Sequence, residues 1–288
     1  MTISGSGPLI TVVELRGRLE EVTVLDIRYR MGGPGGLEVF TQGHVPGATY
    51  VDLDLDLAGP PAAEGAGGGR HPLPEPFRFV NAMRAAGVSN ARPVVVYDDW
   101  QGRAAGRAWW LLRHYGHPDV RVLDGGWTAW QQDGGPVETE TRVAEEGDFA
   151  GAPGHLPTLD AGAVADFSGT VVDARDPARY RGDTEPVDPV AGHIPGAVNV
   201  PTGANLRDDG TFRPAEELRG LYAEAVARAG QDPGGRVATY CGSGVTATHD
   251  LLALAAAGIE GVLYPGSWSD WVSDPDRPVA TGEPGPER

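Results

Sequence analysis

A chain of 288 residues exceeds the usual size of one domain and points to two. Hydrophobic residues make up 40%, enough for real cores, while 43 glycines and 25 prolines predict a loop-rich fold. The net charge of −17 makes nucleic acid and anionic membrane surfaces poor partners, and every basic residue is arginine, which excludes Schiff-base chemistry and a phosphate-loop lysine. Cys241 is the single cysteine, so an intrachain disulfide and a multi-thiolate metal site are excluded, and no metal or organic cofactor is expected. Residues 1–10 carry neither the basic stretch nor the apolar core of a secretory signal. No run approaches the roughly 18 apolar residues of a membrane span, so a cytoplasmic location is expected.

Taken in chain order, Val24-Leu25-Asp26-Ile27-Arg28 reads as a buried strand closing on an acid and an arginine, and Gly43-His44-Val45-Pro46-Gly47-Ala48 as a turn. Ala58 to Pro76, with Pro60-Pro61 and Gly67-Gly68-Gly69, reads as a long surface loop inside the first half. Val94–Tyr97 is a strand, Arg103–Tyr115 a helix, and Gly125-Gly126-Trp127 a turn. The stretch from Gly134 to Pro157 lacks apolar periodicity and holds the domain boundary. The landmarks then return in the same order. Val171-Val172-Asp173-Ala174-Arg175, Gly192-His193-Ile194-Pro195-Gly196-Ala197, Val237–Tyr240 and Gly266-Ser267-Trp268 repeat the earlier four, with helical patterns over 215–229 and 245–257. Four landmarks in register mark a tandem duplication. Strands alternating with helices of this length predict α/β domains with parallel sheets of about five strands. The expected division is residues 1–140, a linker at 141–157, and residues 158–288.

Cys241 stands where a strand ends and Gly242-Ser243-Gly244 opens a helix at Val245. Ligands of open parallel sheets bind beyond the carboxyl ends of the strands. The turn's unpaired N–H groups and the helix N-terminus there favour a thiolate over a thiol. Three other chemistries use such a loop, and each lacks a part here. A dinucleotide site needs an acid at the end of the next strand, and Pro265-Gly266 follows instead. A cysteine phosphatase needs an arginine six positions on, where Ala247 stands, and a cysteine hydrolase needs a histidine beside the thiolate. His249 lies eight residues on and reads as a helix-surface residue. A cysteine in an anion-cradling loop without a nearby base suits sulfur transfer through a persulfide.

These repeats, the two G-H-[VI]-P-G-A turns and the loop Cys241-Gly242-Ser243-Gly244-Val245-Thr246 resemble the two-domain rhodanese-type sulfurtransferases, over about Thr11 to Trp271. The resemblance implies two rhodanese-like domains, each a parallel five-stranded sheet with helices on both faces. It implies Cys241 as nucleophile and Gly242, Gly244, Val245 and Thr246 as the cradle. The first repeat has Asp98 at the matching strand end and is expected to be catalytically silent. The loop is closest to 3-mercaptopyruvate sulfurtransferases, which implies proton transfer by Ser243 and a carboxylate-binding arginine matched by Arg179, with Arg181 beside it. The serine's partner histidine is matched by His44, although its own turn is the simpler use of that ring. The sequence also departs from the pattern: Val187–Ala191 holds no second arginine, and Pro265 replaces an acid. The expected reaction takes sulfur from a small anionic donor, 3-mercaptopyruvate or alternatively thiosulfate. Sulfur then passes to cyanide or a thiol such as thioredoxin, without nucleic acid or membrane. The reading from a different class is a non-enzymatic sensor or interaction module.

Overall fold

The structure, a computed structural model, describes residues 7–62, 67–231 and 234–282. The signal-peptide reading of residues 1–6, the middle of the 58–76 loop at 63–66, and the ends of the expected domains at 1–6 and 283–288 lie outside the described residues. The chain forms two compact units. The first comprises residues 1–59, 73–156 and 208–212; the second comprises 60–72, 157–207 and 213–288. The stretch at 60–72, expected to be a surface loop of the first half, thus belongs to the second unit.

In the first unit, five strands form one parallel sheet: β1 (Leu9–Ile10), β2 (Thr23–Asp26), β3 (Thr49–Tyr50), β4 (Val94–Tyr97) and β5 (Val120–Leu123), in the order β1-β5-β4-β2-β3. The central run Val94–Tyr97 is buried at every residue, as expected of a strand covered on both faces. Alternate side chains explain the two layers. Val24, Val95, Tyr97 and Leu123 join Val12 and Leu15 of helix Val12–Arg16, Phe40 of helix Gly36–Gln42, and Trp127 and Trp130 of helix Gly126–Gln132 in one cluster. Helix Arg103–His114 packs on β4 and β5 and contributes nothing to that cluster.

The second unit repeats this plan with β6 (Thr170–Asp173), β7 (Val198–Asn199), β8 (Val237–Tyr240) and β9 (Gly261–Leu263), parallel, in the order β7-β6-β8-β9. The expected fifth strand is reduced to a single parallel bridge, Thr158 to Leu263, where the first repeat has the two-residue β1. Only Leu159 N–H (2.8 Å) and Leu263 N–H (3.3 Å) bond across it, too few to carry a strand. Helix Ala247–Ala256 starts two residues later than its sequence pattern suggests, because Gly244 holds a positive φ of 81° and the chain is still turning.

The duplicated landmarks serve as matching hydrogen-bonded corners. Asp26 accepts from the guanidinium of Arg28, which also donates to the Gly43 carbonyl at 2.7 Å. Asp173, Arg175 and Gly192 repeat this, the last bond at 2.6 Å. Tyr97 and Tyr240 each accept the N–H after the repeated histidine, at 3.1 Å. Arg28 lies over Trp127 and Arg175 over Trp268.

Candidate active site

Strand β8 ends at Tyr240, and the next residue is Cys241, whose side chain is buried. Its N–H donates to Ser267 Oγ (3.0 Å), its carbonyl accepts from Trp268 N–H (2.9 Å), and the Gly242 carbonyl accepts from Ser269 N–H (2.9 Å). The turn is therefore sewn to the start of helix Ser267–Trp271. Gly244 N–H points back at Cys241 Sγ from 3.1 Å, the geometry of a donor that stabilises negative charge on sulfur. Only glycine fits there: beyond its positive φ, a Cβ would stand 2.1 Å from the Pro265 carbonyl oxygen. Val245 is buried, and Thr246 occupies the N-cap of helix Ala247–Ala256 without a side-chain bond to it.

Ser243, almost fully buried, has His71 Nδ1 at 2.7 Å from its hydroxyl oxygen. His71 comes from the 60–72 stretch. Two neighbours anchor that stretch: Gly68 N–H donates to Asp270 Oδ1 (2.7 Å) and Arg70 N–H to Ser269 Oγ (3.1 Å). The histidine bonded to Ser243 is thus not His44. His44 Nδ1 meets the Phe40 carbonyl at 2.9 Å and its ring stacks on Phe40 at 3.8 Å. His193 does the same with Tyr180, at 2.8 and 3.8 Å. Both repeated histidines hold their own turns. His71 sits in a stretch with no periodic pattern, and the Arg70-His71 pair ahead of Pro72 was its one signal.

Arg179, on the short helix Pro177–Arg181, is mostly buried and doubly bonded to Glu185, through Nε (3.1 Å) and Nη2 (2.6 Å). Its Nη2 also reaches Asp188 Oδ2 at 3.2 Å, and Asp188 Oδ1 accepts from Arg70 Nη1. Glu185 in turn binds Arg175 Nη1 at 3.2 Å. A chain of alternating charge, Arg175–Glu185–Arg179–Asp188–Arg70, results. Burial pushes the Glu185 carboxyl up, but the Arg179 guanidinium and the N–H groups of Asp188 and Val187 outweigh it and hold it below its ordinary value. Burial pushes the Asp188 carboxyl up despite Arg70 and Arg179. Arg181 instead turns outward to Asp183 at 2.9 Å. His249, expected on a helix surface, is fully buried: its helix is enclosed by β8, β9 and helix Ala215–Arg228, and Asn205 Nδ2 lies 3.4 Å from its Nδ1.

The matching loop of the first unit has the same frame with a different occupant. Trp127 N–H donates to the Asp98 carbonyl at 2.8 Å, as Trp268 does to Cys241. The fully buried Asp98 carboxylate accepts four backbone N–H groups, from Trp100 (2.9 Å) and from Gly102, Ala104 and Ala105 (2.8 Å each). The cradle is filled by the chain's own carboxylate.

A model of the rhodanese-like domain matches residues 11–133 and again 158–274. A Mycobacterium tuberculosis protein described as "Putative thiosulfate sulfurtransferase SseB" is 45% identical over 95% of this chain and 97% of its own length. A Pseudomonas aeruginosa protein described as "Probable 3-mercaptopyruvate sulfurtransferase" is 42% identical over 96% of this chain and 99% of its own. The crystal structure of SseA from Escherichia coli, described as a rhodanese-fold 3-mercaptopyruvate sulfotransferase, superposes with a TM-score of 0.78 at 30% identity, over 92% of this chain and 100% of that one. The buried cysteine at a strand end, the duplicated corners and these matches converge, and the chain belongs to the rhodanese-like family in its two-domain form.

Proposed function

We propose that the protein is a sulfurtransferase that moves sulfur from 3-mercaptopyruvate, through a persulfide on Cys241, to cyanide or a thiol. The carrying observation is the environment of Cys241 Sγ: an N–H donor at 3.1 Å, a Ser243–His71 pair two residues on, and arginines over the loop. The thiolate attacks the donor's sulfur, a sulfur–sulfur bond forms, and the carbon–sulfur bond breaks. Its electron pair passes to the carbon, which takes the proton leaving the donor's thiol and becomes the methyl group of pyruvate. Ser243 and His71 are placed to relay that proton. Gly244 N–H then faces the negative charge carried by the persulfide. Attack of cyanide or a thiolate on the outer sulfur returns Cys241 as a thiolate. Arg179 suits the donor's carboxylate because its planar fork binds one bidentately. Thioredoxin is one thiol acceptor of this chemistry.

Thiosulfate is the second reading, favoured by the description of the mycobacterial relative. Steady-state kinetics with both donors decide between them. A higher kcat/KM for mercaptopyruvate is expected, with Arg179→Ala raising its KM at least about tenfold. A clear preference for thiosulfate overturns the donor assignment, and turnover of neither overturns the function.

A further inference from the structure

The Cys241 loop is overhung by two guanidiniums. A Cβ placed on Gly242 would lie 3.2 Å from Arg70 Nη2 and 3.5 Å from Arg179 Nη1, so both arms converge beside the residue that follows the nucleophile. One carboxylate joins them: Asp188 gives Oδ1 to Arg70 and Oδ2 to Arg179, with its side chain only 3% exposed. A carboxylate bridged between two guanidiniums is the arrangement that a donor carboxylate needs at such a seat. Arg70 Nε, moreover, is buried and has no hydrogen-bond partner among the described residues, a donor that a ligand in this seat can use. No arginine stands in Val187–Ala191, and Asp188 is the second residue of that stretch.

We propose, resting on the sulfurtransferase reading of this site, that Arg70 is the second cationic arm of the donor seat and that Asp188 sets its selectivity. The side chains in the chain of ion pairs, with Asp173 closing it behind Arg175, are three arginines and three carboxylates and sum to zero. A monoanionic donor that takes the place of Asp188 on the two forks brings the cluster to a single net negative charge. A dianion such as thiosulfate brings one negative charge more, beside a carboxylate that stays within a few ångströms. That repulsion is weakly screened in a half-buried site.

The test is the ratio of kcat/KM for thiosulfate to that for mercaptopyruvate, in the wild type, Asp188→Asn, Arg70→Gln and the double variant. Asp188→Asn is expected to raise the ratio at least about tenfold. Arg70→Gln should raise KM for both donors and lower the ratio, with kcat changed much less. The double variant restores the net charge and should return the ratio to within about threefold of wild type. Because the readout is a change in ratio, it holds whichever donor the wild type prefers, and a thiosulfate-preferring wild type refutes only the donor assignment above. A ratio within twofold of wild type in an Asp188→Asn protein that still loads sulfur on Cys241 overturns the proposal. If Asp188→Asn fails to fold, Arg70→Gln, on a partly exposed side chain, decides alone: unchanged KM for both donors overturns it.

Discussion

Ser267 holds a φ of 55°, a left-handed conformation that costs an L residue on the order of 1–2 kcal/mol. The matching residue of the first repeat is Gly126, at 57°. What favours serine over glycine here is its hydroxyl, which accepts the Cys241 N–H at 3.0 Å and donates to the Tyr264 carbonyl at 3.0 Å. Ser267→Ala keeps the strained backbone and leaves a buried N–H without its acceptor, so a loss of about 2 kcal/mol is expected in urea denaturation. Ser267→Gly loses the same bond but relieves the backbone and should be the milder change. Equal stability of all three proteins would contradict this role. Sequence alone passed over Ser267 because the αL backbone is set by the sharp entry from Tyr264 into helix Ser267–Trp271, which no local pattern records.

At the scale of elements, much was legible because much is local. An apolar run buried at every residue, a cysteine, a glycine turn and a helix lie within twenty residues, and strand alternation with helices gave the parallel sheets. The 67–72 stretch was illegible for the opposite reason. Its bonds go to Asp188, Ser243, Ser269 and Asp270, far off in sequence, and nothing apolar or periodic betrays them. The family resemblance alone matches His44 to the serine's partner, and the repeated turn points to the simpler use, a stacked ring that holds a corner in both halves. Gly69 is the tightest point of the stretch: at φ 75°, a Cβ would stand 2.5 Å from the Gly266 carbonyl oxygen. Gly69→Ala should displace Arg70 and His71 together, raising KM for mercaptopyruvate and lowering kcat, each by about tenfold; steady-state parameters matching wild type would show that the stretch does not serve the site. The segment around Glu185 makes a separate prediction. Its carboxyl is held below its ordinary value of 4.5 in the folded state, so its stabilising effect is complete above pH 4.5 and is lost as the pH falls through the folded value. Urea midpoints taken from pH 6 down to about pH 3 should fall more steeply in the wild type than in Glu185→Gln, and parallel slopes would remove Glu185 from the acid response.

Over the whole molecule, a duplicated frame has been kept while the residue at the central strand's end differs between the repeats. Both units hold the acid–arginine corner, the stacked histidine and the tyrosine that ties turn to strand. At the strand end one carries Asp98 and the other Cys241. The Asp98 carboxylate accepts four N–H groups, and we propose that its role is stability rather than sulfur transfer. Asp98→Ala should cost about 3 kcal/mol by leaving those donors unpaired, seen as a lower thermal midpoint, while sulfur transfer below that midpoint stays within about twofold of wild type. A large loss of transfer in folded protein would give the first unit a chemical part. Among the described residues no helix is long and apolar enough to cross a membrane. On the proposed route sulfur rests on Cys241 between donor and acceptor, and the test is intact mass after incubation with mercaptopyruvate. The wild-type protein should gain one sulfur atom, lose it to cyanide with release of one equivalent of thiocyanate, and show neither change as Cys241→Ser. An unchanged mass in a wild-type protein that turns over, or a sulfur gained equally by Cys241→Ser, would contradict the persulfide route.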